Sequence, residues 1–252
     1  MYGRLRRERM KFENTEVWGF EHSLRGMRNP KNSWHKSDSH YGCDDEKYCD
    51  KCHDIGEYCF GYKGNDNYII GENDMKLAQT LIKAGNEHRK FMRQIFVSVD
   101  ITAPLYWWKE FDTYKVGTVA YSTSTMHKLA TTPITLDCFE IDDYDRNLSL
   151  ADNPKDDDGL DNISTFEEDI IYVLENIRQK YLVTKDKRYW KELVRWLPES
   201  WLQKRTITMN YENIRNMYFQ RRNHKLTEWS ESFLKWVESL PYAEELIMYE
   251  GK

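Results

Sequence analysis

An alternating apolar segment near the middle of the chain predicts a buried β-strand. In QIFVSVDITAP (residues 94–104), apolar side chains at alternate positions would face one side and polar side chains the other. A second alternating run, ITLDCFEI, places Ile134, Leu136 and Cys138 on one face and predicts another strand. Helical patterns surround these runs without a regular alternation of strand and helix. We therefore expect an α+β fold, not a doubly wound sheet.

Amphipathic helices are predicted on both sides of the two alternating runs. The apolar spacing that is typical of such helices occurs in residues 72–85, 164–181, 185–197, 210–222 and 227–240. In the last segment, the apolar residues follow the spacing i, i+4, i+7, i+8, i+11, and they are Trp229, Phe233, Trp236, Val237 and Leu240. This spacing predicts one inward-facing stripe.

The charge and composition of the chain exclude several classes of protein. Its 37 Lys and Arg against 42 Asp and Glu leave a net charge of −5, which argues against a generally basic nucleic-acid-binding protein. No run reaches the roughly 18 apolar residues that a membrane span needs. The basic start, MYGRLRRERMKF, lacks the apolar stretch of a signal peptide. We therefore expect a cytoplasmic protein without a membrane or nucleic-acid partner.

The first quarter of the chain differs in composition from the rest. It is rich in Asn, Asp, Gly, Ser, Lys and Tyr, and it shows no sustained helical or strand period. We interpret residues 1–65 as an irregular extension that contains cysteines, and residues 66–252 as the folded domain.

Four of the five cysteines lie in this extension, and they are Cys43, Cys49, Cys52 and Cys59. The C-x2-C pair is able to clamp zinc, and the two flanking thiolates complete a tetrahedron. There is no second C-x2-C pair, so free thiols in a loop and redox chemistry stay open as alternatives. Cys49 to His53 also spells the c-type haem attachment pattern, which does not suit a chain without an export signal.

Cationic and hydroxyl side chains form two further candidate sites. Arg195, Arg221 and Arg222 lie on predicted helices, and the planar guanidinium suits phosphate because it donates two parallel hydrogen bonds. They are equally compatible with solvated surface arginines, and Asn210 and Asn216 with a helix cap and a surface amide. The stretch from 103 to 127 alternates ionisable groups with aromatic rings and ends in hydroxyls, a composition found both in phosphate sites and in polar loops.

These residues resemble the flavin-dependent thymidylate synthase family over about residues 70–245. The family has the pattern Ala-Arg-x-x-Leu-Pro, then Thr-x-Asn, and residues 194–198 and 208–210 are similar to these two segments. The family then has Asn and Arg down one helix and Ala-Gln-Trp-Glu after it, and the similar residues here are Asn216, 221–222 and 227–229. Upstream, the family's Ala-Pro falls on residues 103–104. Its Arg-His-Arg-x7-Ser signature falls on Thr113, Tyr114 and Lys115, with Thr123 at the serine.

The resemblance implies both a fold and an activity. The fold is a mixed or antiparallel sheet packed with long helices. The activity is a methyltransferase reaction of nucleotide biosynthesis, in which FAD mediates one-carbon transfer from methylenetetrahydrofolate to C5 of dUMP, with NADPH as reductant. The family also implies a homotetramer with active sites shared between subunits.

The same resemblance implies roles for individual residues. Arg195 and one of Arg221 and Arg222 would grip the nucleotide. Helix spacing favours Arg221, whereas the distance to Trp229 favours Arg222. Glu110 and Thr123 fall at substrate-contacting positions, and the implied flavin contacts are Thr113, Tyr114, Lys115, Asn210 and Asn216. No nucleophile and base pair is evident, so no catalytic residue is assigned.

Several signature positions depart from the family pattern. Thr113-Tyr114-Lys115 replaces Arg-His-Arg, Glu110 replaces a glutamine, and Thr125 replaces an arginine. These departures keep two alternatives open. One is a flavoenzyme that makes another 5-substituted pyrimidine, and the other is a non-catalytic scaffold that binds a nucleotide or a protein partner.

Overall fold

The computed structural model describes residues 10–42, 68–141 and 163–251, with the backbone alone for 163–168. The predicted zinc ligands Cys43, Cys49, Cys52 and Cys59 lie outside the described residues. Contacts divide the chain into two compact units. The described residues of unit 1 are 10–11, 101–113, 121–141 and 163–205, and those of unit 2 are 12–42, 68–100, 114–120 and 206–251. The boundary predicted near residue 65 stays a prediction.

Both strands and helices are distributed along the chain. The strands are β1 (Lys11–Trp18), β2 (His40–Tyr41), β3 (Tyr68–Ile69), β4 (Phe96–Pro104), β5 (Val119–Ser122) and β6 (Leu202–Asn210). The α-helices are α1 (Phe20–Arg28), α2 (Glu72–Lys83), α3 (Leu105–Phe111), α4 (Thr125–Lys128), α5 (Ile163–Thr184), α6 (Lys187–Arg195), α7 (Tyr211–Arg221) and α8 (Leu234–Glu238). Two π-helical segments, Glu228–Phe233 and Ala243–Ile247, flank α8.

The strands form a four-stranded sheet in the order β1-β4-β6-β5 and a small antiparallel pair of β2 with β3. The alternation predicted for β4 is confirmed, because Val97, Val99, Ile101 and Ala103 are at most 1% exposed. Burial of the central strand removes its apolar face from water, and this hydrophobic effect is the main favourable contribution to forming the sheet. The α+β class predicted from the sequence is confirmed.

The core of unit 2 contains the aromatic stripe that helical spacing predicts. Trp229, Phe233, Trp236, Val237 and Leu240 are all buried, with at most 7% exposure. Burying a large apolar side chain contributes about 1.5–3 kcal/mol each. The stripe is therefore a structural feature of unit 2, and it places Trp229 next to the end of α7.

The interpretation of the chain start as irregular is wrong for residues 11–28, which form β1 and α1. β1 lies at an edge of the sheet and most of its side chains are exposed, so its sequence lacks apolar alternation. In α1 the buried face includes Ser23, whose hydroxyl donates to the carbonyl oxygen of Phe91 at 2.7 Å. A polar residue whose hydrogen bond is made inside the core interrupts the apolar stripe from which a helix is predicted.

The second predicted strand is also wrong. In unit 1, Leu136–Cys138 form a 3-10 turn, and the buried residues of this segment are Ile134 and Phe139, which are five positions apart. They pack in a core cluster with Leu129 at the end of α4, Leu174 of α5 and Leu193 of α6. The alternating run ITLDCFEI therefore contains a turn, and the two residues that flank it, Ile134 and Phe139, pack into a core formed with helices.

Candidate functional site

The start of α7 is fixed by two asparagines. The side chain of Asn210 accepts a hydrogen bond from the backbone N–H of Asn213 at 3.0 Å, and the side chain of Asn213 accepts one from the backbone of Asn210 at 3.4 Å. This reciprocal capping box satisfies two backbone donors that the first turn leaves free. Asn210 is 7% exposed, so it is a buried cap in this structure.

The same asparagines hold the loop of residues 114–118 in unit 2. Asn213 Nδ2 donates to the carbonyl oxygen of Val116 at 2.7 Å. Gly117 adopts a φ of +79°, and a Cβ atom there would lie 3.0 Å from Asn213 Oδ1 and 3.2 Å from Asn210 Nδ2. Glycine therefore allows both the left-handed backbone and the close approach to α7.

Arg221, at the end of α7, is enclosed by two aromatic rings of unit 2. Its guanidinium carbon lies 4.8 Å from the centre of the Trp229 ring and 5.4 Å from that of Tyr114. Its Nε also donates to the Tyr114 hydroxyl at 2.8 Å, and that hydroxyl donates to Gln220 Oε1 at 3.0 Å. The hydroxyl of Tyr114 therefore both accepts and donates a hydrogen bond within the protein.

Charged groups of α7 and of a neighbouring segment form contacts along the other turns of this helix. Arg89 pairs with the buried Glu212 at 2.9 Å, and it donates to the amide oxygen of Asn216 at 3.5 Å. Arg215 donates to the carbonyl oxygens of Leu246 and Ile247, and burial together with the nearby positive charge of Arg89 lowers its pKa to about 10. These groups tie α7 to its surroundings in unit 2.

Arg222 differs from its neighbour in being accessible. It pairs with Glu250 at 2.5 Å, and both side chains are about half exposed, at 46% and 49%. Exposed ion pairs contribute little net free energy, so Arg222 is able to exchange this partner for another anion. Lys115 of the loop is exposed, and its ammonium makes no ion pair within the described part of the chain.

Unit 1 contains the other predicted site residues. Arg195, at the end of α6, pairs with Glu192 one helical turn earlier, and the two side chains are 50% and 38% exposed. Thr113 donates from its hydroxyl to the carbonyl oxygen of Glu110 at 2.7 Å. Thr123 is held by its backbone, which donates to Lys204 at 2.9 Å and accepts from the Gln203 side chain at 2.8 Å.

A pocket of about 840 Å³ lies within unit 1 beside Thr123. Its walls carry the side chains of three lysines, one aspartate, five hydroxyl residues and a few apolar residues. Ser124 at its edge exchanges hydrogen bonds with His127, at 2.8 Å to the ring and 3.1 Å from the backbone N–H.

Sequence reasoning identified some of these residues and missed others. The structure places Tyr114, Lys115, Asn210 and Arg221 in unit 2, with Asn216 in α7 and Arg222 directly after it. Arg195, Glu110, Thr113 and Thr123 lie in unit 1. Asn213 and the pocket lysines were missed. The spacing of Asn213, three residues after Asn210, is the capping-box signal that identifies it, whereas no local pattern marks the lysines.

The described residues hold no group of three or more His, Cys, Asp or Glu side chains placed to bind a metal ion. In the same ranges, no helix has both the length and the apolar character needed to cross a bilayer.

Comparison with known proteins is informative for the fold. No family model matches this chain, and no curated protein matches it. Among solved structures, thymidylate synthase X (ThyX) from Helicobacter pylori with FAD and dUMP matches with a TM-score of 0.56 at 14% identity, over 96% of each chain. A second ThyX structure from Helicobacter pylori, complexed with FAD and dUMP, matches with a TM-score of 0.55 at 14% identity, over 94% of this chain and 97% of that one. The chain therefore has a ThyX-like fold.

Proposed function

We propose that this chain is a flavin-dependent enzyme that transfers a one-carbon unit to C5 of a pyrimidine deoxynucleotide, dUMP or a close variant. Methylenetetrahydrofolate would donate the carbon, NADPH would act as reductant, and four copies would share active sites. The observation that carries the proposal is the fold likeness, which extends over nearly the whole length of ThyX structures that hold FAD and dUMP.

The donors of the loop and α7 fit a cofactor with a negatively charged pyrophosphate. Lys115 offers an exposed ammonium, the exposed Gly117 leaves the backbone accessible, and Asn216 offers amide N–H groups that are half-buried. Tyr114 contributes its ring but no free hydroxyl, because Arg221 and Gln220 already bind that hydroxyl. When bound, FAD would supply the redox chemistry that protein side chains lack.

Arg195 is the arginine of unit 1 best suited to bind the nucleotide phosphate, and Arg222 is the separate candidate that unit 2 offers. Each is about half exposed and is paired with a surface glutamate, Glu192 and Glu250 respectively. A phosphate offers the same two-pronged acceptor as a carboxylate with more negative charge, so it competes well for a guanidinium. Arg221 has another task in this proposal, since its contacts with Tyr114 and Trp229 shape the end of α7.

The fold alone does not select the product of the reaction. Glu110, at an implied substrate contact, stands where the resembling family has a glutamine, and its carboxylate only accepts hydrogen bonds where an amide both donates and accepts. This difference favours, as a second candidate, an enzyme of the same chemistry that makes another 5-substituted pyrimidine.

The experiment that tests the proposal is identification of what co-purifies and what forms. Purified protein should absorb at about 450 nm, as oxidised flavins do, and should release FAD on denaturation. Incubation with dUMP, methylenetetrahydrofolate and NADPH, followed by mass spectrometry, should show dTMP. A heavier pyrimidine product would select the second candidate, and protein that neither contains nor takes up flavin would refute both.

A further inference from the structure

The turn between α5 and α6 concentrates positive charge on the surface of unit 1. Residues 180–191, which we call the basic corner, contain a single acidic residue, Asp186, and five cationic residues. All five cationic side chains are exposed, and they are Lys180, Lys185, Lys187, Arg188 and Lys191. Asp186 pairs with Arg188 at 2.6 Å, whereas the four lysines make no ion pair within the part of the chain that the structure describes.

Both helices contribute to the basic corner as one surface. The Nζ atom of Lys180, near the end of α5, lies 5.9 Å from the centre of the Tyr189 ring of α6. In the turn itself, the Nζ atom of Lys185 lies 6.0 Å from the centre of the Tyr181 ring of α5. A cation over the face of an aromatic ring is attracted by it, so the two half-buried tyrosines hold these ammonium groups at the junction of the helices.

The exposed face of α6 continues this surface. Lys187, Arg188 and Lys191 follow the spacing i, i+1, i+4, which places them on one side of the helix, and the buried Leu193 lies on the opposite side. With a rise of about 1.5 Å per residue, Lys187 and Lys191 are about 6 Å apart along the helix axis. The face therefore presents its ammonium groups in a row.

Helix and turn stability do not account for these cations. Lys187 and Arg188 lie in the first turn of α6, which contains no acidic residue, and the helix dipole opposes positive charge there. Lys185 has a φ of +56°, a left-handed conformation that glycine or asparagine adopts at less cost. The corner thus holds cations at positions where uncharged residues would favour the local structure, as expected of a surface that binds an anion.

The composition of the corner favours a polymer of phosphates over a lipid surface. In residues 180–191, all of which the structure describes, Val183 is the one large apolar side chain that is exposed, at 82%. Binding of a helix to a bilayer increases with the apolar area that it buries, and this corner has little to insert. A nucleic-acid backbone requires only cations near its phosphates.

We propose that the basic corner binds the phosphate backbone of a nucleic acid without reading its sequence. Lysine contacts to phosphate position a nucleic acid but carry no base information. The net charge of −5 argues against a generally basic nucleic-acid-binding protein, so the attraction is that of one local face. The inference goes beyond the proposed function and does not depend on it.

The test is fluorescence anisotropy of the full chain with a labelled single-stranded oligonucleotide of about 20 nucleotides, which exceeds the about 4–16 that a single-strand site covers. The dissociation constant should lie between about 1 and 100 μM and should rise steeply between about 50 and 200 mM salt. The triple variant Lys180→Gln, Lys187→Gln, Lys191→Gln should bind at least about 10-fold more weakly. Its slope of log K against log salt should be shallower by about 2, because three phosphate contacts are lost. Replacing the same three lysines by arginine should retain the affinity.

The matched control is a second triple variant, Lys31→Gln, Lys90→Gln, Lys235→Gln. These are exposed lysines of unit 2, so their loss changes the net charge equally without touching the corner. The control should bind the oligonucleotide as wild type does. An equal loss in both triple variants would overturn the inference, since a general field would then explain the binding. Thermal melting verifies that each variant is folded.

Three further outcomes would also overturn the inference. One is wild-type protein that binds no oligonucleotide at about 50 mM salt, which would leave the proposed function untouched. Another is a strong preference between oligonucleotides of thymine and of adenine that depends on the corner. The third is corner-dependent binding to vesicles of phosphatidylserine and phosphatidylcholine without oligonucleotide binding, which would assign the surface to a membrane.

Discussion

The Nε atom of Arg221 donates a hydrogen bond to the hydroxyl of Tyr114 at 2.8 Å, although 107 positions separate the two residues. Arg221 is the C-terminal residue of α7, whereas Tyr114 begins the loop that Asn213 holds at the start of the same helix. The loop of residues 114–118 is thus attached to both ends of α7. Any ligand bound at this loop is positioned by the helix.

Tyr114→Phe should lower the free energy of unfolding by about 1–2 kcal/mol. The substitution removes the acceptor of Arg221 and the donor to Gln220 while keeping the ring contact with Trp229. Urea denaturation measures the change. Tyr121→Phe is the control, because Tyr121 is 81% exposed and its hydroxyl should not matter. Equal stabilities of the two variants would contradict the role of the hydroxyl.

Gly117→Ala should destabilise the protein more than Gly85→Ala does. Both glycines have positive φ angles, +79° and +101°, so each alanine incurs about 1–2 kcal/mol of backbone strain. At Gly85 nothing lies within 4 Å of the added Cβ, whereas at Gly117 the side chains of Asn210 and Asn213 must also move. Thermal unfolding compares the two variants. An equal loss at both positions would mean that the approach to α7 is not tight.

If the loop binds FAD, Gly117→Ala should also lower the flavin content of purified protein, measured as the ratio of flavin to protein absorbance. Gly85→Ala should leave this ratio unchanged, because nothing lies within 4 Å of the added Cβ atom at Gly85. A normal flavin content in Gly117→Ala would separate the loop from the cofactor.

Arg195→Ala should weaken the binding of dUMP by roughly 10- to 150-fold, since charge-assisted hydrogen bonds contribute about 1.5–3 kcal/mol. Arg195→Lys should restore part of this, because lysine keeps the charge but loses the planar fork. Titration calorimetry measures the affinities. Arg188→Ala, on the same helix and 90% exposed, should bind normally. A loss shared by Arg188→Ala would point to a general charge effect.

The buried Asp74 should make unit 2 sensitive to acid. Burial by itself would raise the pKa of Asp74, but hydrogen bonds from Ser37, Ser39 and Arg28 outweigh it and hold the pKa below its ordinary value. The folded state therefore gains stability above the ordinary pKa of about 4 and loses it as the pH falls through the lower folded-state value.

Asp74→Asn should lower the free energy of unfolding by about 3 kcal/mol at pH 7, because it leaves the buried Arg28 without its charged partner. The difference from wild type should shrink at acidic pH, where the wild-type carboxylate is protonated. Urea titrations from pH 7 to 2 measure both effects. Glu72→Gln, at a side chain that is 80% exposed, should change stability by less than about 0.5 kcal/mol. An unchanged pH dependence in Asp74→Asn would contradict this account.

Local periodicity was enough to predict much of the fold. The alternation around Val97 and the helical stripe of Trp229 and Phe233 both appear as predicted, because these segments bury one regular face each. The α+β class followed from the order of such segments. Where a segment buries little or buries a polar group, as in β1 and at Ser23 of α1, the pattern is weak and the prediction was wrong.

The arrangement of the candidate sites depended on tertiary structure. The sequence alone predicted that Asn210 caps a helix and that Arg221 binds phosphate. It did not predict the hydrogen bond between Arg221 and Tyr114, nor that Lys11, Lys128 and Lys204 line one pocket. Side chains that are distant along the chain meet only when strands and helices pack, and that packing is decided by the whole buried surface. The chain's own residue pattern thus determined which elements form and which chemical groups it offers, while packing decided which of those groups share a site.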